Sequence, residues 1–284
     1  MLISVIVTTY NRPDALSAVI RALLDQTDTN FEVVIADDGS GQPTRDTLSA
    51  FRDAPRASGL KRLLHAWQPD EGFRASAARN LGVFAAKGEY LLFLDGDCVP
   101  RPDFVARHRL LAEKGFMVSG SRVLLSEDFT RTVLTSGDAV HRRGLSYWLR
   151  QRLSGNTNKI VPLLHFPNSG LRHYRAVKWS RIKSCNLAIW RDDYAAVNGF
   201  DESFVGWGHE DADIVLRLAR HGVRRKGGAF STEVFHLWHR ENTRATESQN
   251  RQRVEDRMRT GVTTADVGLT AHPKAEDRVD VIAA

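Results

Sequence analysis

The sequence predicts an α/β fold, a mostly parallel sheet flanked by helices, with an irregular carboxyl-terminal part. Three observations predict it. Strand-like and helix-like segments alternate through the first half of the chain, and βαβα order is how parallel sheets are built. The strand-like runs are apolar and β-branched, as strands buried on both faces are. Polar or acidic residues follow three of these runs directly, at the strand ends where open α/β sheets hold their ligands.

Each element has its own warrant. Ile3–Thr9 is apolar and β-branched, hence a buried strand. Asn11-Arg12-Pro13-Asp14 opens a helix over 13–26, with Leu16, Val19, Ile20, Leu23 and Leu24 on one face. A second strand over 31–36 runs into Asp37-Asp38-Gly39-Ser40; a helix near 43–53 and a short strand near 61–66 follow. Residues 75–86 read as a helix stopped by Lys87-Gly88, and 90–94 as the next strand. Residues 120–180 show few clear periods, and loops of that length in a compact domain are usually functional or mobile. Order returns with a strand over 184–190 and a helix over 211–220, closed by Gly222. The polar stretch 241–259 reads as helical, and the tail from about 260 as disordered.

The 284 residues give ample length for a core, and 42% hydrophobic with 26% charged residues is a globular composition. No apolar run is long enough to span a bilayer. The start, MLISVIVTTYN, lacks a basic n-region and reads as a first core strand. Cys98 and Cys185 give no disulfide framework, so a cytoplasmic chain is expected. A net charge of +6 implies attraction to polyanions. The basic residues are spread along the chain without a nucleic-acid module, which favours a phosphorylated substrate or an anionic membrane surface over nucleic acid.

The run Tyr90-Leu91-Leu92-Phe93-Leu94-Asp95-Gly96-Asp97 is the most informative. Residues i and i+2 of an extended chain point to the same side, so Asp95 and Asp97 can converge at the end of a buried strand. Two hard oxygen donors there suit Mg²⁺ or Mn²⁺, and such an ion suits a diphosphate. The competing reading is a turn, since Asp-Gly is a common turn dipeptide. Asp37-Asp38-Gly39-Ser40 has its own alternative, an Asx turn capping the next helix. No G-x-G-x-x-G follows the first strand, which argues against a nicotinamide-type dinucleotide site.

SVIVTTYNRPDAL, EVVIADDGS, SAARNLG and YLLFLDGDC, in this order and spacing, resemble the donor half of the inverting family 2 glycosyltransferases of GT-A, Rossmann-like fold. SCNLAIWR, NGFDESFVGWGHEDADIVLRLARHG and VFHLWH resemble the carboxyl-terminal module of galactosyltransferase-like and chondroitin-polymerase-like enzymes. The resemblance covers residues 2–240. It implies a division into a donor half (1–115), an acceptor-binding and catalytic half (116–240) and a polar helix and tail (241–284). It implies that Thr8 and Tyr10 line the nucleoside pocket, that Asp38 accepts a hydrogen bond from uracil, and that Asp37 supports it. Arg79 would face the diphosphate. Asp95, joined to Asp97 by Gly96, would reach the ribose and the metal shell. Asp97 would bind Mn²⁺ or Mg²⁺ directly, with His236 as the second protein ligand. Asp211 would be the general base, with Glu210 orienting the acceptor.

The chemistry of the residues agrees with these roles. Displacing a nucleoside diphosphate needs charge neutralisation on the leaving group and a base for the attacking hydroxyl. Glu210 and Asp211 follow Gly206-Trp207-Gly208 and open a helix, where ionised carboxylates are stabilised. Trp207 suits covering a sugar, and a glycine-flanked loop can close over a donor; a core tryptophan and a plain helix cap are the competing readings. His239, three residues beyond His236, is the weaker ligand candidate. In 141–153, Leu145, Trp148, Leu149 and Leu153 share one helical face beside arginines, which fits either a membrane-surface helix or one packed on the sheet. In 171–183, Arg172, Arg175, Lys178, Arg181 and Lys183 suit an anionic acceptor or a solvated loop.

The expected activity is metal-dependent, inverting transfer of a hexose-type sugar from a UDP-sugar to a glycan or lipid-linked acceptor, in bacterial surface polysaccharide or lipopolysaccharide synthesis. The expected location is the cytoplasm, at the inner face of the membrane. The alternatives are a sugar-phosphate nucleotidyltransferase, a non-catalytic nucleotide- or glycan-binding relative, and a nucleic-acid-binding module.

Overall fold

The computed structural model describes residues 1–53, 59–174, 179, 182–240, 243–272 and 275–283. β1 (Ile3–Thr9) lies in the middle of a sheet, between β2 (Phe31–Asp37) and β4 (Tyr90–Asp95), and parallel to both. β3 (Leu63–Trp67) extends the sheet parallel to β2. The order β3-β2-β1-β4 means that the chain steps outward from β1 in one direction, then returns to its other side. The crevice between β1 and β4 is therefore a topological switch point. Register brings Thr9 level with Asp37 and Thr8 level with Asp95.

Beyond β4 the sheet becomes mixed. β9 (Asn186–Trp190) runs antiparallel to β4 and to β6 (Phe116–Ser119), β10 (Arg224–Gly227) pairs parallel with β6, and the two-residue β8 (His173–Tyr174) closes that side. A smaller sheet, β5 (Cys98–Pro100), β11 (Val234–His236) and β7 (Arg122–Leu124), joins the segment that follows β4 to later parts of the chain.

Helices cover both faces, as expected. α1 (Pro13–Leu24), α2 (Gln42–Ser49) and α4 (Phe104–Leu111) bury their apolar stripes in one cluster, with Leu16, Ile20, Leu48 and Phe104 fully buried. α3 (Ala75–Ala85), α7 (Arg191–Ala196) and α8 (Glu210–Arg220) cover the other face around Phe93, Tyr194 and Phe200. Gly82 lets α3 lie close on the sheet, since a Cβ there would sit 2.9 Å from Ile6 Cγ2.

Three expectations are corrected. The stretch read as irregular contains α5 (Glu127–Ser136), capped by Ser126, whose hydroxyl accepts from Phe129 N at 3.3 Å. It also contains α6 (Leu145–Leu153). α5 is polar overall, which hides it in the sequence, whereas the helix read in 141–153 is present as α6 over its second part. On α6 the four apolar residues do not share one environment. Trp148 is buried, stacked 4.0 Å from Phe235, while Leu145, Leu149 and Leu153 are 51%, 50% and 80% exposed. The tail is ordered as well: after α9 (Glu247–Thr260), β12 (Val279–Ala283) pairs antiparallel with β3. Its β-branched Val-Asp-Val-Ile run was masked by polar surroundings.

Candidate active site

The site is assembled where β1, β2 and β4 end. Asp37 is fully buried. Its Oδ1 accepts from Ser40 N at 2.8 Å and its Oδ2 lies 2.8 Å from His65 Nε2. Asp37 thus shapes the turn that carries Asp38. The Asp38 backbone N–H donates to Thr9 O, and its two carboxylate oxygens accept from Gln68 Nε2 (2.6 Å) and Arg74 N (2.7 Å). Burial pushes the Asp38 carboxyl up to about 6, and those donors oppose the rise. Gly39 turns the chain at φ 94°, where a Cβ would strike the Asp70 backbone.

A cavity of about 360 Å³ lies between Tyr10, Asp38, Phe73, Trp207 and Thr246. Tyr10 is 47% exposed and its hydroxyl donates to Asp70 Oδ2 at 2.9 Å. Trp207 lines this cavity rather than the core, with the Arg244 guanidinium 4.9 Å from its ring centroid. Of the residues that the resemblance gave to the nucleoside, Tyr10 and Asp38 line this cavity together with Trp207, whereas Thr8 does not line it and meets Arg79 instead.

Deeper in the crevice, Arg79 is buried on α3 and ties the two halves together. It donates from Nε to Thr8 Oγ1 (3.2 Å), from Nη1 to Glu210 Oε1 (3.3 Å) and from Nη2 to Asp95 Oδ1 (3.3 Å). Burial opposes its charge, but Asp95, Glu210 and Asp211 outweigh that effect and hold its pKa up. Burial raises the Asp95 carboxyl to about 6; Arg79 opposes this, and the charges of Asp97 and Asp211 add to it. Glu210 rises to about 7, first from burial and then from Asp211, again against Arg79. Gly96 lets the β4 end pass β1: its N–H donates to Thr8 O at 2.7 Å, and a Cβ would meet that oxygen at 3.0 Å.

Asp97 faces two imidazoles. His236 Nε2 lies 3.7 Å from its Oδ1, and His239 Nε2 lies 3.3 Å from its Oδ2. Asp97, Cys98 and His236 offer donor atoms that all lie within 4.8 Å of one another, whereas His239 meets the other Asp97 oxygen outside that group and stays the weaker candidate. Two ligands bound cis at about 2.1 Å from one ion stand about 3 Å apart, so the Asp97–His236 separation is within reach of a shared small divalent ion. Burial lowers the His236 pKa, which leaves a neutral ring with a free lone pair. Cys98 Sγ is also within reach of this group. It is a soft donor, and burial holds it as the thiol, so it matches Mg²⁺ or Mn²⁺ poorly.

Opposite, α8 begins with Glu210 and Asp211. Gly206 (φ 79°), Gly208 (φ 99°) and His209 (φ 73°) are all left-handed, and this tight path aims the helix N-terminus into the crevice. Asp211 Oδ1 is buried and has no hydrogen-bond partner. A buried acceptor without a donor is costly in a finished interior, and here it adjoins the Arg79 cluster. Asp213 differs: it is tied to Arg217 Nε at 2.8 Å and Arg257 Nε at 2.8 Å, which anchors α8 to α9. The basic stretch 171–183 is only partly available to a ligand. Arg172 is buried and donates to the carbonyls of Phe166, Pro167, Gly227 and Ala229. Arg175, Lys178 and Arg181 lie outside the described residues. Sequence reasoning also missed Gln68, Arg74 and Asn80. Asn80 Oδ1 accepts from Tyr194 Oη and Phe200 N, so the SAARNLG helix carries the second half as well as Arg79.

A mixed α/β sheet with a nucleotide-sized cavity and an acidic, histidine-flanked strand end at its switch point defines the class of GT-A glycosyltransferase folds. The chain belongs to glycosyltransferase family 2, whose model matches residues 4–176; a second model, the N-terminal domain of galactosyltransferase, matches 170–240. Among curated relatives, validoxylamine A glucosyltransferase of Streptomyces hygroscopicus subsp. jinggangensis is 31% identical over 78% of this chain and 52% of its own length. Chondroitin synthase of Escherichia coli is 28% identical over 78% of this chain and 32% of its own length. The chain therefore spans about half, or less, of the length of these two relatives. Two solved structures share the fold. S. aureus TarS 1–349 in complex with UDP-GlcNAc gives a TM-score of 0.60 at 16% identity, over 95% of this chain and 69% of that one. The mannosyltransferase PcManGT of Pyrobaculum calidifontis, in complex with GDP-Man and Mn²⁺, gives 0.57 at 16%, over 96% and 67%.

Proposed function

We propose that this chain is an inverting, divalent-metal-dependent glycosyltransferase that moves a hexose-type sugar from a UDP-sugar to a glycan or lipid-linked acceptor. The observation that carries the reading is the unpartnered, buried Asp211 oxygen beside the Arg79–Asp95–Glu210 cluster, facing the same crevice as Asp97. Asp97 and His236 would hold Mn²⁺ or Mg²⁺, which when bound neutralises the leaving diphosphate. Residues 1–115 form the donor half in this reading. Tyr10 and Asp38 hold the uracil nucleoside, Trp207 closes its pocket, and Arg79 adds a fixed positive charge for the diphosphate. Residues 116–240 contribute the base. Asp211 takes the proton of the acceptor hydroxyl, Glu210 orients that acceptor, and the attacking oxygen approaches opposite the departing UDP. A single displacement of this kind inverts the anomeric centre.

The names of the relatives, among them a chondroitin synthase, support a role in bacterial surface polysaccharide or lipopolysaccharide synthesis. The exposed Leu145, Leu149 and Leu153 stripe on α6 supports a peripheral seat at the anionic inner membrane surface. No helix among the described residues is long and apolar enough to cross a membrane.

The test is calorimetry of UDP with Mn²⁺ and with EDTA, followed by an assay of UDP-hexose transfer. UDP should bind far more tightly with Mn²⁺, and Asp97→Ala should remove that difference and abolish transfer. Equal UDP affinity with and without metal would sink the metal assignment. Retention of the donor's anomeric configuration in the product, read from NMR coupling constants, would overturn the role given to Asp211.

A further inference from the structure

A second concavity, about 270 Å³, has Gly120, Arg122, Leu124 and Cys185 among its walls, and of the candidate residues named from the sequence only Lys183, from the basic stretch 171–183, lines it. Its walls carry Arg122, Lys159 and Lys183, with Asn158, Ser121 and Asn186 between them. Among the described residues, no carboxylate forms an ion pair with any of the three cations. Burial opposes the Arg122 charge, and the field of Cys185, Cys98, Asp95 and Asp97 outweighs it, so an anion brought among these three cations would meet positive charge that no ion pair occupies.

The hollow is built rather than accidental. Arg122 stands on β7, which pairs with β11, which pairs with β5. Leu124, His236 and Cys98 are register partners across these strands. Arg122 is two residues from Leu124, so it shares the sheet face that carries His236. Two strand spacings, about 10 Å, separate β7 from β5, roughly the span of two linked sugar rings. Lys159 is delivered by a segment fixed to β7: Leu125 and Thr157 form an antiparallel bridge, Leu124 N donates to Asn158 Oδ1 at 2.9 Å, and Asn158 N donates to Leu124 O at 3.2 Å. The floor is equally fixed. Asn186 Nδ2 donates to the carbonyls of Ser121 and Thr232, and a Cβ on Gly120 would collide with the Asn186 side chain.

We infer that this hollow is an acceptor subsite for an anionic saccharide, in which Arg122, Lys159 and Lys183 hold a carboxylate or phosphate on the sugar next to the one that receives the transfer. The inference rests on the glycosyltransferase reading and narrows its acceptor class. Charge-assisted hydrogen bonds from Lys and Arg are strong enough, and specific enough for carboxylate and phosphate, to select such an acceptor over a neutral one.

The test is titration calorimetry on the full chain with UDP and Mn²⁺ present. Three probes are used: a hexuronic-acid disaccharide, the same disaccharide with its carboxylate reduced to the alcohol, and a hexose-phosphate disaccharide. At least one anionic probe should bind about tenfold or more tightly than the neutral one, and whichever anion binds better identifies the source of the charge. Lys159→Glu/Lys183→Glu should erase the preference, and Lys159→Arg/Lys183→Arg should keep it. Binding of both anionic disaccharides no tighter than that of the reduced one overturns the inference. So does a charge-reversed variant that loses UDP affinity as much as saccharide affinity, because the cations would then serve the donor. Failure of UDP to bind the native chain refutes the donor assignment instead, and a saccharide preference that persists there leaves the subsite standing. The two readings therefore fail separately.

Discussion

Asp38 shows how one side chain can set both nucleotide choice and pH response. An ionised carboxylate accepts the N3–H of uracil, whereas cytosine offers no hydrogen at that position. Burial has raised the Asp38 carboxyl to about 6, so it is ionised above that pH and protonated below it. UDP should bind more tightly than CDP at pH 7.5, and the difference should shrink several-fold as pH falls through about 6. Asp38→Ala should bind both alike at either pH. Calorimetry showing the same preference in native and variant chains would remove uracil recognition from this residue. Asp211 answers to a different measurement. Asp211→Asn keeps the size of the side chain but cannot take a proton, so kcat should fall at least about a hundredfold while UDP and Mn²⁺ affinities hold. Glu210→Gln should act mainly on acceptor KM. Near-normal turnover in Asp211→Asn would reassign the base to Glu210, since Asp213 is locked between Arg217 and Arg257.

At the scale of elements, α6 divides its apolar residues by function. Trp148 is a structural peg against Phe235, while Leu145, Leu149 and Leu153 remain in solvent beside Arg150 and Arg152. Leu149→Glu should leave the melting temperature within a degree or two, because an exposed leucine contributes little to folding. It should nevertheless weaken co-sedimentation with vesicles containing anionic lipid. Equal sedimentation of native and variant chains would place the membrane contact elsewhere or nowhere. The elements also show what a sequence can reveal. β1, β2, β4 and α1 were legible because their strand-length or 3.6-residue periods are fixed by burial, and the position of Asp95-Gly96-Asp97 at a strand end because an apolar run of strand length stops there. α5 and β12 were not, since their stabilising contacts come from distant parts of the chain; α6 was read as a helix, but not the burial of Trp148 alone among its apolar residues. The same holds for the site. Asp38, Arg79 and Asp97 stood in recognisable motifs. Gln68 and Arg74, which hold Asp38, lie in a segment with no pattern of its own, and their role exists only once β3 is laid beside β2.

At the scale of the whole molecule, the two halves of the chain share one sheet and one crevice. Arg79, from the first half, donates to Glu210 in the second, and the β5-β11-β7 sheet brings His236 beside Asp97. Neither half carries a complete site alone. The outer margins of that sheet have a separate consequence. One margin is the two-residue β8; the other would be β3, whose five residues are largely buried and apolar, were β12 not laid along it. An uncapped β3 would present a row of unsatisfied N–H and C=O groups to neighbouring molecules, the template on which strands of separate chains join. β12 then becomes the margin, and its charged Asp280 and the register shift between Val281 and Ala283 make it a poorer template than β3, which is the role of a solubility guard. A chain truncated after Arg278 should keep UDP binding, because β12 touches none of the site residues, yet form light-scattering aggregates at concentrations where the full chain stays clear. If the shortened chain remains monodisperse, the edge is protected by something other than its last strand.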